Sequence, residues 1–215
     1  MPTITSIQQQ KKNHSRYSVF VDEEFYIGID EDSLIRLSLK KGLELTPQDL
    51  TKLKEESFFG LIYSKVLDYL SRRPRSVREI EQYVSQKLYD REVFVDSSEQ
   101  EQKSAFIARI VEDLISRSYL DDHEFARWWI GQRTQGKKPL GLSRIVSELV
   151  QKGVSPEITK RAWDQSQLSD SFLVETVVET IKDKYDLSDP KQKTRFINYL
   201  QRRGFSWETI KTMLQ

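Results

Sequence analysis

The stretch Leu149-Val-Gln-Lys-Gly-Val-Ser-Pro-Glu-Ile158 contains the signals that decide the fold. Lys152 ends one helix with a positive charge, and Gly153 breaks the chain in a position where a left-handed residue is favoured. Ser155 then caps the next helix, with Pro156 at its first position. A Leu four residues before such a break recurs in Leu70-Ser-Arg-Arg-Pro-Arg-Ser-Val-Arg-Glu-Ile80, Leu114-Ile-Ser-Arg-Ser-Tyr-Leu-Asp-Asp122 and Leu200-Gln-Arg-Arg-Gly-Phe-Ser-Trp-Glu-Thr-Ile210. Because recurring phrases are typical of stacked helical units, the sequence predicts a mainly α-helical protein built from tandem three-helix repeats in an elongated array.

The composition agrees with thin helical layers that have much exposed surface. Only 37% of the 215 residues are hydrophobic and 31% are charged, while the formal net charge is +1. The absence of Cys excludes disulfides, thiol catalysis and Cys-ligated zinc or iron–sulfur sites. No apolar run approaches the ~18 residues of a membrane span, and the polar N-terminus does not resemble a signal peptide. We therefore expect a cytoplasmic protein without membrane contact.

The first thirty residues have the alternation of strands rather than helical spacing. Apolar residues alternate over 17–21 and again over 25–29, and Asp22-Glu23-Glu24 lies between them as a hairpin tip. Together with a short run around Ile4, this pattern predicts a small three-stranded unit that must pack on helices to be stable. The acidic tip has two interpretations, a solvated turn or a contact with a basic surface of a partner.

Helix start signals divide the rest of the chain. The sequence predicts a short helix over Asp32–Lys41 that Gly42 stops, then a helix of about 27 residues from Thr46 to Arg73. Capping boxes or caps are expected at Ser76–Glu79, Asp121–Glu124, Ser155, Asp189 and Ser206. These signals predict four domains: a β-containing unit over 1–45, a linking helix with the first repeat over 46–110, the second repeat over 111–165 and the third over 166–215.

Two stretches resemble sites of chemistry without meeting its requirements. Residues 136–143 look like a phosphate-binding loop, but Leu142 stands where that loop needs Lys, so we predict a turn between helices. Asp121 and Asp122 are adjacent carboxylates, and we interpret them as helix capping rather than metal binding. Neither of the two histidines has a ligand partner at metal spacing. We predict a protein that is not an enzyme, with no catalytic residue, metal site or cofactor.

Basic residues cluster where the repeated phrase breaks, and we predict that they contact a partner. The candidates are Arg72, Arg73, Arg75, Arg78, Arg133, Lys137, Lys138, Arg202 and Arg203. Repeats stacked in register would align them as a basic stripe that attracts phosphates or an acidic protein surface. The alternative interpretation is dipole complementation at helix C-termini. For the aromatic run Phe125, Trp128 and Trp129, we expect Phe125 and one Trp in the core and the other Trp half-exposed.

Several ordered motifs resemble the RecX regulatory proteins of bacteria. They are Arg73-Pro-Arg-Ser-Val-Arg-Glu-Ile80, Tyr119-Leu-Asp-Asp-His-Glu-Phe-Ala126, Gly141-Leu-Ser-Arg-Ile-Val-Ser-Glu-Leu-Val-Gln-Lys-Gly-Val154 and Leu200-Gln-Arg-Arg-Gly-Phe205. The resemblance runs from about residue 61 to the C-terminus, and the β-containing head is similar to the extended N-terminus of some Gram-positive members. Two features depart from the family pattern: Ser118 replaces a usual Gly, and the first repeat continues through Lys87–Phe94 instead of closing with Lys-Gly.

The resemblance implies tandem three-helix repeats and a non-enzymatic regulator. Its partners would be RecA and the RecA–single-stranded-DNA filament, with the regulator lying along the filament groove and inhibiting filament growth, strand exchange and coprotease activity. We expect a monomer without a cofactor. Two other functions stay open: a helical-repeat protein that competes with RecA for DNA, and a scaffold unrelated to recombination. The net charge of +1 argues against strong unaided DNA affinity, because such binding depends on phosphate neutralisation.

Overall fold

The computed structural model describes residues 1–11, 13–89 and 99–214. Three strands, β1 (Ile4–Gln9), β2 (Arg16–Val21) and β3 (Glu24–Asp30), are followed by ten α-helices in the described residues. These are α1 (Glu31–Arg36), α2 (Pro47–Leu70), α3 (Val77–Tyr89), α4 (Glu99–Ser116), α5 (Asp122–Thr134), α6 (Leu142–Gln151), α7 (Pro156–Gln165), α8 (Asp170–Ile181), α9 (Pro190–Arg202) and α10 (Trp207–Met213). The mainly helical prediction with a small N-terminal sheet is confirmed. The predicted continuation of the first repeat through Lys87–Phe94 lies outside the described residues from residue 90 onward.

The chain divides into two compact units. The first contains Met1–Arg72 and Val84–Ile110, and the second contains Arg73–Tyr83 and Val111–Gln215. This division cuts through α3 and α4, so each of these helices contributes residues to both units. Neither unit coincides with one of the four predicted domains, whose boundaries stay a prediction. Among the described helices, none is long and apolar enough to cross a membrane.

The first unit is built on an antiparallel sheet in the order β1-β2-β3. Asp22 and Glu23 both have positive φ, 49° and 69°, and form the two-residue turn that matches the twist of a hairpin. Glu24, predicted as part of the tip, already pairs with Val21 in the ladder. One face of the sheet is buried around fully enclosed Ile4 and other apolar side chains. The hairpin prediction is therefore confirmed, with a tip one residue shorter.

Helix α2 packs against β3 and contributes Leu53 to the apolar core of the sheet. The Ser57 hydroxyl donates to the carbonyl of Gly28 at 2.5 Å, and the Tyr26 hydroxyl donates to the carbonyl of Leu50 at 3.2 Å. Thr46 caps this helix, as predicted, and forms a capping box with Asp49. The helix spans 24 residues and ends at Leu70, close to the predicted length.

The predicted helix over Asp32–Lys41 is wrong in its extent. Asp30 caps α1, and the helix ends at Arg36. Ser38 then takes a left-handed backbone with φ of 50°, and the amide of Leu39 donates back to the carbonyl of Leu34. This turn directs Leu39 into the sheet core, where it is 9% exposed. Burial of Leu39 therefore ends the helix well before Gly42.

The second unit is all helical in the described residues, and its helices α5 to α10 share one apolar core. Phe125, Leu149, Phe196 and Leu200 are fully buried and pack with apolar side chains from α5 to α10. Contacts are most extensive between α5 and α7, between α6 and α7, and between α8 and α10. Phe125 is in the core as predicted, whereas both Trp128 and Trp129 lie partly buried at its edge.

The repeated phrase forms the same backbone turn three times in this unit. Ser118, Gly153 and Gly204 have φ of 59°, 86° and 93° at corresponding positions. In each turn the following amide donates to the carbonyl of the phrase's Leu, which completes a Schellman cap. Ser118 adopts this left-handed conformation although it has a Cβ atom. The phrase at Leu70 differs, because none of residues 70–80 has positive φ, and α2 ends at Leu70 before the turn reaches Pro74.

Candidate partner-binding surface

The turn that ends α6 packs against the start of α3, and we call this contact the first junction. The Ser76 hydroxyl donates to the carbonyl of Lys152 at 2.7 Å and accepts the amide of Glu79 at 3.1 Å. A Cβ atom on Gly153 would lie 2.6 Å from the Cβ of Arg78, so the turn and the helix are in close contact. The Gly in the repeated phrase therefore serves packing as well as chain reversal.

A carboxylate from α5 completes the first junction. Asp122 accepts the amide of Val77, the first residue of α3, at 2.8 Å. Burial raises the pKa of Asp122, and the nearby charges of Asp121 and Glu81 add to the effect. Asp121 caps its own helix by accepting the amides of residues 123 and 124. The two adjacent carboxylates thus satisfy two different helix starts, which confirms the capping interpretation.

The turn that ends α9 packs against the start of α6 in the same way, and we call this the second junction. The amide of Gly141 donates to the carbonyl of Arg203 at 2.9 Å. A Cβ atom on Gly204 would lie 2.5 Å from the Cβ of Arg144. Asp170, the first residue of α8, accepts the amide of Leu142 at 3.0 Å, and burial raises its pKa. The two junctions therefore repeat one backbone arrangement.

The first junction has its own carboxylate between its cations. Glu79 pairs with Arg73 at 2.9 Å and with Lys152 at 2.8 Å, and its side chain is 13% exposed. Burial disfavours the charged form of Glu79, but hydrogen bonds from the two cations outweigh it and lower its pKa. Lys152 also lies 4.4 Å from the centroid of the Trp129 ring. Arg73 and Lys152 are thus engaged inside the fold.

The second junction holds the loop between α5 and α6 at its backbone. The Arg203 guanidinium donates to the carbonyls of Lys138 and Pro139, the latter at 2.9 Å. The Thr180 hydroxyl donates to the carbonyl of Lys137 at 2.9 Å. The side chains of Lys137 and Lys138 are exposed. The backbone is therefore fixed at three carbonyls while two ammonium groups face solvent.

Residues 2–46 match the family model described as the regulatory protein RecX N-terminal domain. Residues 63–94 and 175–214 match the first and third RecX three-helix domains. The regulatory protein RecX of Bacillus subtilis is 32% identical over 98% of this chain and 75% of its own length. The chain belongs to the RecX family. The regulatory protein RecX of Listeria monocytogenes is 31% identical over 97% of this chain and 73% of its own length.

Solved RecX structures have the same fold. A crystal structure of regulatory protein RecX superposes with a TM-score of 0.77 over 98% of both chains, at 22% identity. The crystal structure of RecX from Lactobacillus salivarius superposes with a TM-score of 0.58, covering 73% of this chain and 94% of that one. The fold and the family predicted from the sequence motifs are therefore confirmed.

The nine basic residues predicted to contact a partner differ in their surroundings. Arg73, Arg133 and Arg203 are partly buried; Arg73 and Arg133 pair with Glu79 and Glu148, and Arg203 binds main-chain carbonyls. Arg75 is also half-buried. The remaining five are exposed: Arg72, Arg78, Lys137, Lys138 and Arg202. The second junction brings Lys137, Lys138 and Arg203 together, whereas Arg73 and Arg78 belong to the first junction. Contact with a partner stays a prediction for all nine.

Three residues of the second junction were not predicted from the sequence. Asp170 accepts the amide at the start of another helix, as Asp122 does. The sequence contains a signal for it, because Ser169-Asp170, like Asp121-Asp122, is a cap followed by an acidic first helical residue. Arg144 and Thr180 carry no signal of this kind, since their contacts come from residues far along the chain. Within the part of the chain that the structure describes, no group of three or more His, Cys, Asp or Glu side chains could hold a metal ion.

Proposed function

We propose that this RecX-family chain is a non-enzymatic regulator that binds RecA and its nucleoprotein filament. In this proposal it lies along the filament groove and inhibits filament growth, strand exchange and coprotease activity, acting as a cytoplasmic monomer without a cofactor. The observation that carries the proposal is family membership over 98% of the chain, to a relative whose printed name is a regulatory protein. The repeated helical junctions support it, because they present an extended surface with exposed cations.

The mechanism follows from differential affinity. A regulator that binds one filament state more tightly than another shifts the population by the ratio of the two affinities, and a ratio of one shifts nothing. The exposed cations Lys137, Lys138 and Arg202 would supply part of this affinity. Their contribution weakens as salt rises, because exposed charges are screened.

The test is RecA's single-stranded-DNA-dependent ATP hydrolysis as the protein is titrated in, at two salt concentrations. Inhibition well below one regulator per RecA protomer, without matching affinity for bare DNA, is expected. Inhibition only at concentrations that saturate the DNA would instead favour simple competition for DNA. A complete lack of inhibition and of RecA binding would favour an unrelated scaffold.

Charge-reversal variants locate the contact surface in the same assay. K137E/K138E and R72E/R78E each replace two exposed predicted contact residues, and K160E/R161E is a matched control on α7. All three double variants change the net charge equally. We expect K137E/K138E or R72E/R78E to raise the half-inhibitory concentration about tenfold or more, because two charge contacts are lost. The half-inhibitory concentration of K160E/R161E should stay near that of the unmodified protein. Equal effects of all three would contradict a localised contact surface.

A further inference from the structure

The two junctions share a backbone arrangement but differ in charge at one corresponding position. Glu79 is the third residue after the cap of α3, and Arg144 is the third after the cap of α6. Lys152 and Arg203 also correspond, since each directly precedes the left-handed Gly of its turn. Glu79 pairs with Lys152 at 2.8 Å. Arg144 instead brings a second positive charge to the junction of Arg203, and its guanidinium lies 3.6 Å from Glu148. A carboxylate of the first junction is thus replaced by a cation at the second.

Two carboxylates near the second junction, Asp170 and Glu148, are already occupied. Asp170 accepts the amide of Leu142, and its side chain is partly buried. Glu148 accepts Arg133 at 2.8 Å and the indole N–H of Trp129 at 3.0 Å, and lies 3.6 Å from Arg144. Within the described part of the chain, the side chains of Lys137, Lys138 and Arg202 have no carboxylate partner. Positive charge is therefore in excess at this junction.

An exposed aromatic ring lies close along the chain to these cations. Trp207 is 53% exposed and begins α10, four residues after Arg203, so their Cα atoms are at most about 14 Å apart. Exposed rings beside a cationic groove are the usual platform for single-stranded nucleic acid, because every base has a face that can stack. At the first junction, Trp128 and Trp129 are partly buried and covered by Arg73 and Lys152.

We infer that the second junction binds the phosphate backbone of single-stranded DNA. Its contacts would come from Lys137, Lys138, Arg144 and Arg202, with Trp207 stacking on a base. Lys is depleted from protein–protein interfaces, whereas phosphate contacts rely on Lys and Arg, so the paired lysines favour nucleic acid over an acidic protein surface. The inference rests on the proposed function only for the source of the strand, the DNA of the filament.

The fixed loop backbone is part of this inference. Arg203 and Thr180 hold three successive carbonyls of the loop, so the lysine backbone is ordered before any ligand arrives. Binding then costs less ordering of the chain than it would on a loop without such contacts. The role of the Arg203 guanidinium in this inference is to position the loop that carries Lys137 and Lys138.

The test measures binding of the full chain to a fluorescein-labelled 15-residue oligo-dT by anisotropy, over a series of salt concentrations. Each phosphate contact contributes about 0.7 to the slope of log affinity against log salt, so K137E/K138E should lower the slope by about 1.4. W207A should weaken binding about 5- to 150-fold at each salt concentration and leave the slope unchanged. Far-UV circular dichroism and the thermal midpoint of each variant establish that it is folded.

K160E/R161E is the matched control for charge. Lys160 and Arg161 are adjacent and exposed like the lysine pair, but Glu157 and Asp164 lie beside them on α7. This variant should keep the slope of the unmodified protein. An equal fall of slope in both double variants would mean that only net charge matters, and it would overturn the inference. If W207A binds oligo-dT with unchanged affinity, the proposed stacking of Trp207 on a base is wrong.

The RecA assay separates failure of this inference from failure of the proposed function. If the protein binds oligo-dT with a salt dependence that K137E/K138E lowers, but does not inhibit RecA, the inference stands and the proposed function is overturned. Inhibition of RecA that K137E/K138E abolishes, without detectable binding of oligo-dT, would overturn the inference in favour of an acidic protein surface.

Discussion

Replacing Gly204 by Ala should destabilise the second unit through two separable effects. Gly204 has φ of 93°, a left-handed backbone that costs an L residue about 1–2 kcal/mol. The new Cβ would also lie 2.5 Å from the Cβ of Arg144 and closer still to its amide nitrogen, in the first turn of α6. Because those are main-chain and Cβ atoms rather than the end of a flexible side chain, the two helices must move apart.

Two other glycines of the same unit isolate each effect. Gly136 has φ of 88° with no atom within 4 Å of a Cβ, so Gly136→Ala carries the backbone cost alone. Gly141 has φ of −78°, but its Cβ would lie 2.5 Å from the carbonyl oxygen of Gly204, so Gly141→Ala carries the steric cost alone. Overpacking costs about 1–3 kcal/mol, and every Gly→Ala change recovers about 0.4–1 kcal/mol from the unfolded chain. The expected losses are about 3 kcal/mol for Gly204→Ala, 1 for Gly136→Ala and 1.5 for Gly141→Ala.

Urea denaturation followed by tryptophan fluorescence and by circular dichroism measures these differences in the free energy of unfolding. The loss for Gly204→Ala should exceed the loss for either other variant by at least about 1 kcal/mol. If Gly204→Ala and Gly136→Ala lost the same stability, the close approach at the second junction would be refuted. A neutral Gly141→Ala would refute it independently, since that variant tests the same contact from the other side.

Three further changes test the caps and ion pairs of the second unit. Burial raises the pKa of Asp170, so its stabilising contribution is complete below the ordinary pKa of 3.8 and is lost as pH rises through the raised value. Asp170→Asn keeps an acceptor for the amide of Leu142 and should remove this pH dependence, whereas Asp170→Ala should cost about 1–3 kcal/mol; urea midpoints at pH 4 and pH 7 compare them. Ser118→Gly should raise the thermal midpoint by relieving a φ of 59°, worth up to about 1 kcal/mol, and a lowered midpoint would contradict the left-handed turn. Glu79→Ala leaves two partly buried cations without their carboxylate and should cost about 1.5–3 kcal/mol at pH 7, with a smaller loss as pH falls through the lowered pKa of Glu79. Glu79→Gln should show an intermediate loss in the same urea titration.

Much of the fold was predictable because its signals are local. The caps at Thr46, Ser155 and Ser206 are each a side chain bonded to an amide three residues on, so the sequence around the helix start contains the whole interaction. The length of α1 was not predictable in this way. Its end depends on the burial of Leu39 against a sheet formed by residues far along the chain.

The candidate surface was predictable only in part. Nine basic residues could be identified from their position at helix ends, but their charge alone did not distinguish buried from exposed members. Arg203 and the exposed Arg202 are adjacent in sequence, yet Arg203 turns inward to the carbonyls of Lys138 and Pro139. Which of two neighbouring arginines is engaged depends on residues about 65 positions earlier, and no local pattern encodes such a contact.

The helical repeats, the hairpin and the family follow from the sequence alone, because caps, breaks and strand alternation act over a few residues. The use of one turn geometry at two junctions with different charge depends on tertiary contacts. Glu79 and Arg144 occupy corresponding places in those junctions, and the carboxylate of Glu79 reaches Lys152, 73 residues later in the chain. Ion pairing depends on distance in space, so Lys152 has a carboxylate partner at one junction, whereas Arg203 binds main-chain carbonyls at the other.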